Sequence, residues 1–216
     1  MPGLLGSQRN FIFFDITQNM WVKAPDYIET KFFSGGFNVN LFYDIRIFKS
    51  YISLAPGISF SNATVKSNTY PSYYQNSQHL LDSTGLTLYT DSSFVNINDP
   101  GLKLKFSTSY LDIPIELRFR IKPDQRGKNF WIAPGFRAGI LLGDFFKYNG
   151  TDIFGNPIKF KQYKVTAIEN FHYGISLRAG YYKVGVYVFY SLTNLFEKNK
   201  GTEVTPFSAG ITLTPF

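Results

Sequence analysis

Eight stretches with an apolar residue at every second position, glycines gathered on the opposite face, and short links alternating with long ones predict an all-β fold. The expected architecture is an eight-stranded antiparallel up-and-down transmembrane β-barrel. The 216 residues suit one domain spanning 1–216, with no linker or second unit. No cysteine is present, so disulfides and thiol-ligated metals are excluded. No run approaches the ~18 apolar residues that a spanning helix needs, so a helical membrane protein is excluded too.

The segments follow in order. Residues 11–22 carry Ile12, Phe14, Ile16, Met20 and Val22 on one face, with Gln18 the exception. Residues 36–48 set Phe37, Val39, Leu41, Tyr43, Ile45 and Ile47 against Asn38, Asn40, Phe42, Asp44, Arg46 and Phe48. Residues 51–61 carry Ile52, Leu54, Pro56, Ile58 and Phe60. Residues 110–121 set Leu111, Ile113, Ile115, Leu117, Phe119 and Ile121 against Tyr110, Asp112, Pro114, Glu116, Arg118 and Arg120. Residues 130–143 carry Phe130, Ile132, Pro134, Phe136, Ala138, Ile140 and Leu142. Residues 171–181 carry Phe171, Tyr173, Ile175, Leu177, Ala179 and Tyr181, and 184–193 carry Val184, Val186, Val188, Tyr190 and Leu192. Phe207, Ala209, Ile211 and Leu213 close the series. Most reach the ~9–11 residues of a tilted spanning strand.

The links at 49–50, 122–129 and 182–183 are short; those at roughly 23–35, 62–103, 144–164 and 197–203 are long. An even strand count then puts both termini on the short-turn side, which is periplasmic in outer-membrane barrels, and the long loops outside.

Alternation does not say which face is inside; volume does. An eight-stranded barrel, of OmpA size, has a bore that side chains just fill. Glycines 36, 57, 135, 139, 143, 174, 180, 185 and 210 all share the polar parity, so that face is the crowded, inward one. The bulky apolar face is left for lipid. The inward parity also carries Asp15, Asp44, Arg46, Asp112, Glu116, Arg118, Arg120, Arg137 and Arg178, an expected lumen charge network. Buried charge persists when paired, and the planar donor fork of arginine suits carboxylates. Phe13, Trp21, Phe42, Tyr110, Trp131, Tyr187 and Phe189 share that face and narrow the bore. Prolines 56, 114 and 134 donate nothing to a ladder and predict bulges or kinks near the short-turn rim.

Two segments, Tyr110-Leu111-Asp112-Ile113-Pro114-Ile115-Glu116-Leu117-Arg118 and Val204-Thr205-Pro206-Phe207-Ser208-Ala209-Gly210-Ile211-Thr212-Leu213, resemble the PorT-like outer-membrane β-barrel family of Bacteroidota. The likeness runs along essentially the whole chain. It implies a bacterial outer-membrane location, with the signal peptide already removed, since Met1 to Gly6 lack a basic start and an apolar core. PorT itself is associated with type IX protein secretion; many relatives have no assigned role, so the pathway stays open. Phe216 resembles the closing aromatic read during barrel assembly, although Pro215 precedes it and the outward parity ends at Leu213.

Chemistry is sparse. His79 lies two residues after Ser77 in the longest link, and His172 lies near Ser176 on the inward face; neither spacing singles out a nucleophile with an oriented base. No metal cluster, cofactor motif or phosphate-cradling glycine loop is found, and an enzyme is not expected. Tyr70, Tyr73 and Tyr74 in the 62–103 link are candidate outer-loop contacts, with packing on the barrel an equal alternative. The formal charge is +7. It is carried on the long-loop side by Lys23, Lys31, Lys66, Lys103, Lys105, Lys147, Lys159, Lys161, Lys164, Lys198 and Lys200. A ring of cations there would meet the phosphates of lipopolysaccharide; nucleic acid is not an expected partner. The expected function is a non-catalytic barrel serving a larger outer-membrane complex in secretion, uptake or barrel assembly, with other outer-membrane proteins as partners. The alternative is a narrow pore or transporter for small solutes.

Overall fold

The computed structural model describes residues 9–47, 51–75, 81–88, 99, 101–121, 129–152 and 154–214. They form β1 (Arg9–Val22), β2 (Gly35–Arg46), β3 (Ile52–Ser67), β4 (Thr69–Gln75), β5 (Leu81–Leu88) and β6 (Lys103–Arg120). The series continues with β7 (Phe130–Thr151), β8 (Pro157–Tyr163), β9 (Phe171–Tyr181), β10 (Val184–Ser191) and β11 (Thr205–Leu213). Strands β6-β3-β2-β1-β11-β10-β9-β7 pair antiparallel in that order, and β6 pairs with β7, so eight strands close a barrel. β8 hangs on the far end of β7, and β4 and β5 form a separate hairpin. Closure leaves no free edge in the barrel wall.

The faces divide by parity. Ile16, Ile113 and Ile175 are 64%, 62% and 53% exposed on the outer wall, while Asp15, Glu116 and Arg178 are each 1% exposed inside. The glycines explain how bulky groups fit. A Cβ on Gly135 would lie 2.9 Å from both the Glu116 Cγ and the Ser176 Oγ, and one on Gly174 would meet the Phe189 ring at 2.8 Å. At the short-turn end the Ile47 amide donates to the Ile52 carbonyl (3.1 Å), and Tyr182 turns the β9–β10 corner with a φ of 56°.

The structure corrects the reading of the long links. β3 runs to Ser67 and β6 begins at Lys103, so 62–67 and 103–109 are strand; the 62–103 link also contains the β4–β5 hairpin. β7 runs to Thr151 and, with β8, converts most of 144–164 into a second hairpin. The far ends of β3, β6 and β7 thus join β8 in a four-stranded flap beyond the apolar belt.

In this flap the polarity of the faces is reversed. Along β6 the inward set changes from Asp112, Glu116 and Arg118 to the apolar Phe106 and Leu104, while the outward set changes from Ile113 and Leu111 to Ser109, Ser107, Lys105 and Lys103. In β7 the parity itself shifts. Ser109 pairs with Gly143 but Tyr110 with Leu141, so Leu142 is one extra residue in the strand. A bulge of this kind turns every later side chain over. Asp144, Phe146 and Tyr148 therefore point inward, and Gly143, assigned to the inner face from its parity, is exposed with nothing within 4 Å of a built Cβ.

The prolines behave differently from expectation. Pro56–Ile115, Pro114–Arg137 and Pro134–Leu177 are all paired, and the register on either side of each is unchanged. The ladder has gaps nearby, between Phe42–Gly57 and Ile45–Leu54 for example, but no bulge. Without a proline N–H one rung is lost and the strand stays in line.

Candidate functional site: a doubly closed interior

Inside the barrel a chain of charged contacts crosses the bore. At the short-turn end Arg120 Nη2 lies 2.8 Å from Asp44 Oδ2, and Ser53 Oγ donates to Asp44 Oδ1 at 2.7 Å. Arg118 stands 3.8 Å from Asp44 and 2.9 Å from Glu116. Arg178 links Glu116 to Asp15, the latter at 2.7 Å. Asn38 and Asn40 donate to the same Asp15 oxygen at 3.0 and 2.9 Å. Arg137 Nη2 donates to Asn40 Oδ1 (3.1 Å) and its Nη1 lies 3.6 Å from Asp112. Asp112 also accepts from Ser61 Oγ (2.6 Å) and contacts His172 Nε2.

Rings fill what charge leaves. The Arg118 guanidinium sits 4.4 Å from the Phe42 centroid and 4.8 Å from that of Phe13, and Arg178 sits 4.5 Å from that of Tyr187. Tyr110 stacks on His172 at 3.9 Å. Cation–π contact is stronger for desolvated groups, and Arg118 and Arg178 are 2% and 1% exposed. Of the charges assigned inward by parity, the structure joins Asp15, Asp44, Asp112, Glu116, Arg118, Arg120, Arg137 and Arg178 in this chain of contacts. Arg46 lies half-buried at the short-turn end, opposite Ser53. His172 belongs to the chain through Asp112. Ser61, its neighbour there, donates to the carboxylate rather than to the imidazole, so the three do not form a nucleophile–base pair.

A second closure lies above the first, and sequence reasoning missed it. Trp21, Phe106, Phe146, Tyr148, Phe196 and Val204 belong to one buried apolar cluster, with Val165, Ile168 and Leu195 from the connecting segments. Trp21 meets Phe106 edge-on at 5.8 Å, and Phe106 meets Phe196 at 6.2 Å. The cluster covers the inner face of the flap and caps the long-loop mouth. In β6 the even-numbered apolar residues 104 and 106 run against the outward parity of the belt and were a sequence signal for it; in β7 Phe146 and Tyr148 continue the outward parity and gave none.

Tyr70 packs partly against this cap, which makes it a structural contact at least in part. Tyr73 and Tyr74 lie in β4, paired with Thr84 and Ser83. The hairpin is held at its base, where Tyr27 Oη donates to the Leu86 carbonyl (3.1 Å) and Thr202 Oγ1 accepts from the Leu86 amide (2.7 Å). Ser77, His79, Pro215 and Phe216 lie outside the described residues. Among the described residues no group of three or more His, Asp or Glu side chains could hold a metal. Among the same residues no helix is long and apolar enough to cross a membrane.

A closed antiparallel barrel, apolar outside and ion-paired inside, defines the class: a small β-barrel of the bacterial outer membrane. The model of the outer membrane protein β-barrel domain family matches residues 7–197, and the chain belongs to that family. The match reaches this domain family and no narrower PorT-like branch. No curated protein matches the sequence. Among solved structures, the chain is similar to Ail, the attachment invasion locus protein of Yersinia pestis, solved in complex with the heparin analogue sucrose octasulfate. Identity there is 15% over 96% of this chain and 97% of that one, with a TM-score of 0.39. A mutant Rh. blastica porin is similar at 11% identity over 96% and 99%, with a TM-score of 0.19. Likenesses this weak carry no argument about activity.

Proposed function

We propose that this protein is a sealed, non-catalytic outer-membrane barrel acting through its outer surfaces, as a structural or accessory subunit of a larger assembly for secretion, uptake or barrel insertion. The observation behind this reading is the double closure: an ion-paired bore beneath an apolar cap. A solute would have to break Arg178–Asp15 and Arg118–Glu116 and also unpack Trp21, Phe106 and Phe196. At Gly135 and Gly174 the space a side chain would take is filled by Glu116, Ser176 and Phe189, which supports a filled bore. This weighs against the pore reading. Two anchored hairpins, β4–β5 and β7–β8, offer the surface for protein partners, and the belt and the phosphates of lipopolysaccharide are the lipid contacts.

The test is cross-linking in native outer membranes, followed by affinity purification in mild detergent and identification of the captured proteins. Recovery of a defined set of outer-membrane proteins, lost when the β7–β8 tip is blocked or replaced, is the expected result. Capture of no partner, together with steady single-channel current from the pure barrel, would overturn the reading in favour of a pore.

A further inference from the structure

Five of the lysines of the long-loop side lie in one row. In the flap Lys66 pairs directly with Lys105, Lys105 with Lys147, and Lys147 with Lys161, so four lysines stand opposite one another on four successive strands. Lys31 continues the row, its backbone amide donating to the Lys66 carbonyl at 2.7 Å. At about 4.8 Å between strands the five span roughly 19 Å. Like charges directly opposite in a ladder are destabilising. Burial, reinforced by Lys66, Lys147 and Lys103, holds the Lys105 ammonium below its ordinary pKa, in a part of β6 that lies beyond the apolar belt. Among the described residues, none of the five forms an ion pair with a carboxylate.

Two further features indicate what the row meets. The bulge at Leu142 is what places Lys147 outside; with the parity of lower β7 its side chain would enter the cap. Below the row, Phe145 and Tyr163 pair on the same outward face, and Lys161 Nζ lies 3.7 and 4.4 Å from their centroids. Tyr163 is exposed and Phe145 half-buried; aromatic rings pack against the C–H faces of sugar rings, and lysine binds phosphate as a point charge. The row lies on the same wall as the lipid-facing residues, six residues beyond the Phe60–Leu111 pair. At ~3.3 Å per residue and a tilt near 40°, that is about 15 Å above the belt. It therefore faces sideways, towards head-group sugars, and not up into solution.

We propose that the lysine row of β3, β6, β7 and β8, with Phe145 and Tyr163 beneath it, is a docking site for the phosphate-bearing head-group saccharide of an outer-leaflet glycolipid. The ligand supplies the anions that the described carboxylates do not give the row. This assigns a ligand to one side of the wall and does not depend on an accessory role in any assembly.

The test uses the full chain in detergent micelles, titrated with rough-type lipopolysaccharide, with the same material chemically dephosphorylated, and with inositol hexakisphosphate as a soluble polyanion. The variants are Lys105→Gln/Lys147→Gln and, at equal charge change, Lys198→Gln/Lys200→Gln in the β10–β11 link. The row variant should bind intact lipopolysaccharide at least tenfold more weakly, and the control variant should bind within twofold of wild type. Dephosphorylation should reproduce the loss. Without lipid the row variant should melt no lower than wild type, because removing it relieves repulsion. Equal losses in both variants would reduce the site to diffuse charge, and unchanged binding in the row variant would remove it. Inositol hexakisphosphate bound as tightly as the glycolipid would make the ligand a free polyanion and overturn the assignment to lipid.

Discussion

Glu116→Gln is the sharpest probe of the lumen. Its carboxylate serves two guanidinium groups, at 2.9 Å to Arg118 and directly to Arg178, and it is 1% exposed. The amide keeps the shape and removes the charge. Arg178 retains Asp15 at 2.7 Å, so most of its pairing survives. Arg118 keeps only Asp44, at 3.8 Å, and its stacking on Phe42 and Phe13. Breaking a buried pair costs about 3–5 kcal/mol. The retained ring contacts, already present in the wild type, moderate that towards the lower end, so a loss of about 3 kcal/mol is expected. For a chain of this length that corresponds to a fall in Tm of roughly 6–12 °C. Thermal unfolding followed by circular dichroism in detergent measures it. Glu116→Gln combined with Arg118→Met, a charge-neutral replacement, should recover much of the loss. A Tm within about 2 °C of wild type would mean that the bore is hydrated and the pairs are screened, which contradicts a sealed interior. Loss of partner capture from a barrel of full stability would make the lumen a working site.

Ile115→Arg or Ile175→Arg, on the exposed belt, should cost about 2–4 kcal/mol or block assembly, measured by urea titration in vesicles; a silent Ile115→Arg would refute the assignment of faces. Planar-bilayer recording should show no stable conductance, and Phe106→Ala, despite losing about 3–5 kcal/mol from the cap, should still not conduct because the ion-paired layer beneath remains. Asp152 closes the β7–β8 tip, accepting from the Asn156 side chain (2.9 Å) and from the Phe154 and Asn156 amides (2.8 and 2.7 Å), and these bonds hold its carboxyl below the ordinary value of 3.8. A depressed carboxyl contributes order above its unfolded pKa and loses it as pH falls through the folded one. The protection of the Phe154 and Asn156 amides, exchange rates being taken relative to the intrinsic rate at each pH, should therefore fall below about pH 4, and Asp152→Asn should remove that fall.

The eight crossings were legible in the sequence because a wall with lipid on one side and a crowded bore on the other imposes a strict period of two. Leu111 through Ile121 display it without a break. The flap was not legible for the same reason. At Tyr110 the apolar residues of β6 pass from odd to even positions, so the odd-numbered pattern that marked the strand stops where the flap begins. In β7 the apolar parity continues through Phe146 and Tyr148, but one extra residue turns it inward, and nothing in the amino acids at 141–143 announces that shift. For the lumen, parity gathered the charges on one face. Which acid meets which arginine was beyond it, since Arg178 and Asp15 are 163 residues apart and meet only when β1 and β9 face each other across the closed bore.

The reversal of faces along β3, β6 and β7 also sets the depth at which the barrel floats. Sinking by one residue pair, about 5 Å along the membrane normal at a tilt near 40°, would draw Asn62 and Ser109 into hydrocarbon, and further descent would draw in Thr64 and Ser107 and then the lysines. Rising by the same step would strip lipid from Phe60, Leu111 and Ile140. Both displacements are opposed by side chains of the same strands, on one continuous wall. On the flap side the molecule thus carries its own waterline, and any partner that binds there is presented at a fixed height above the lipid.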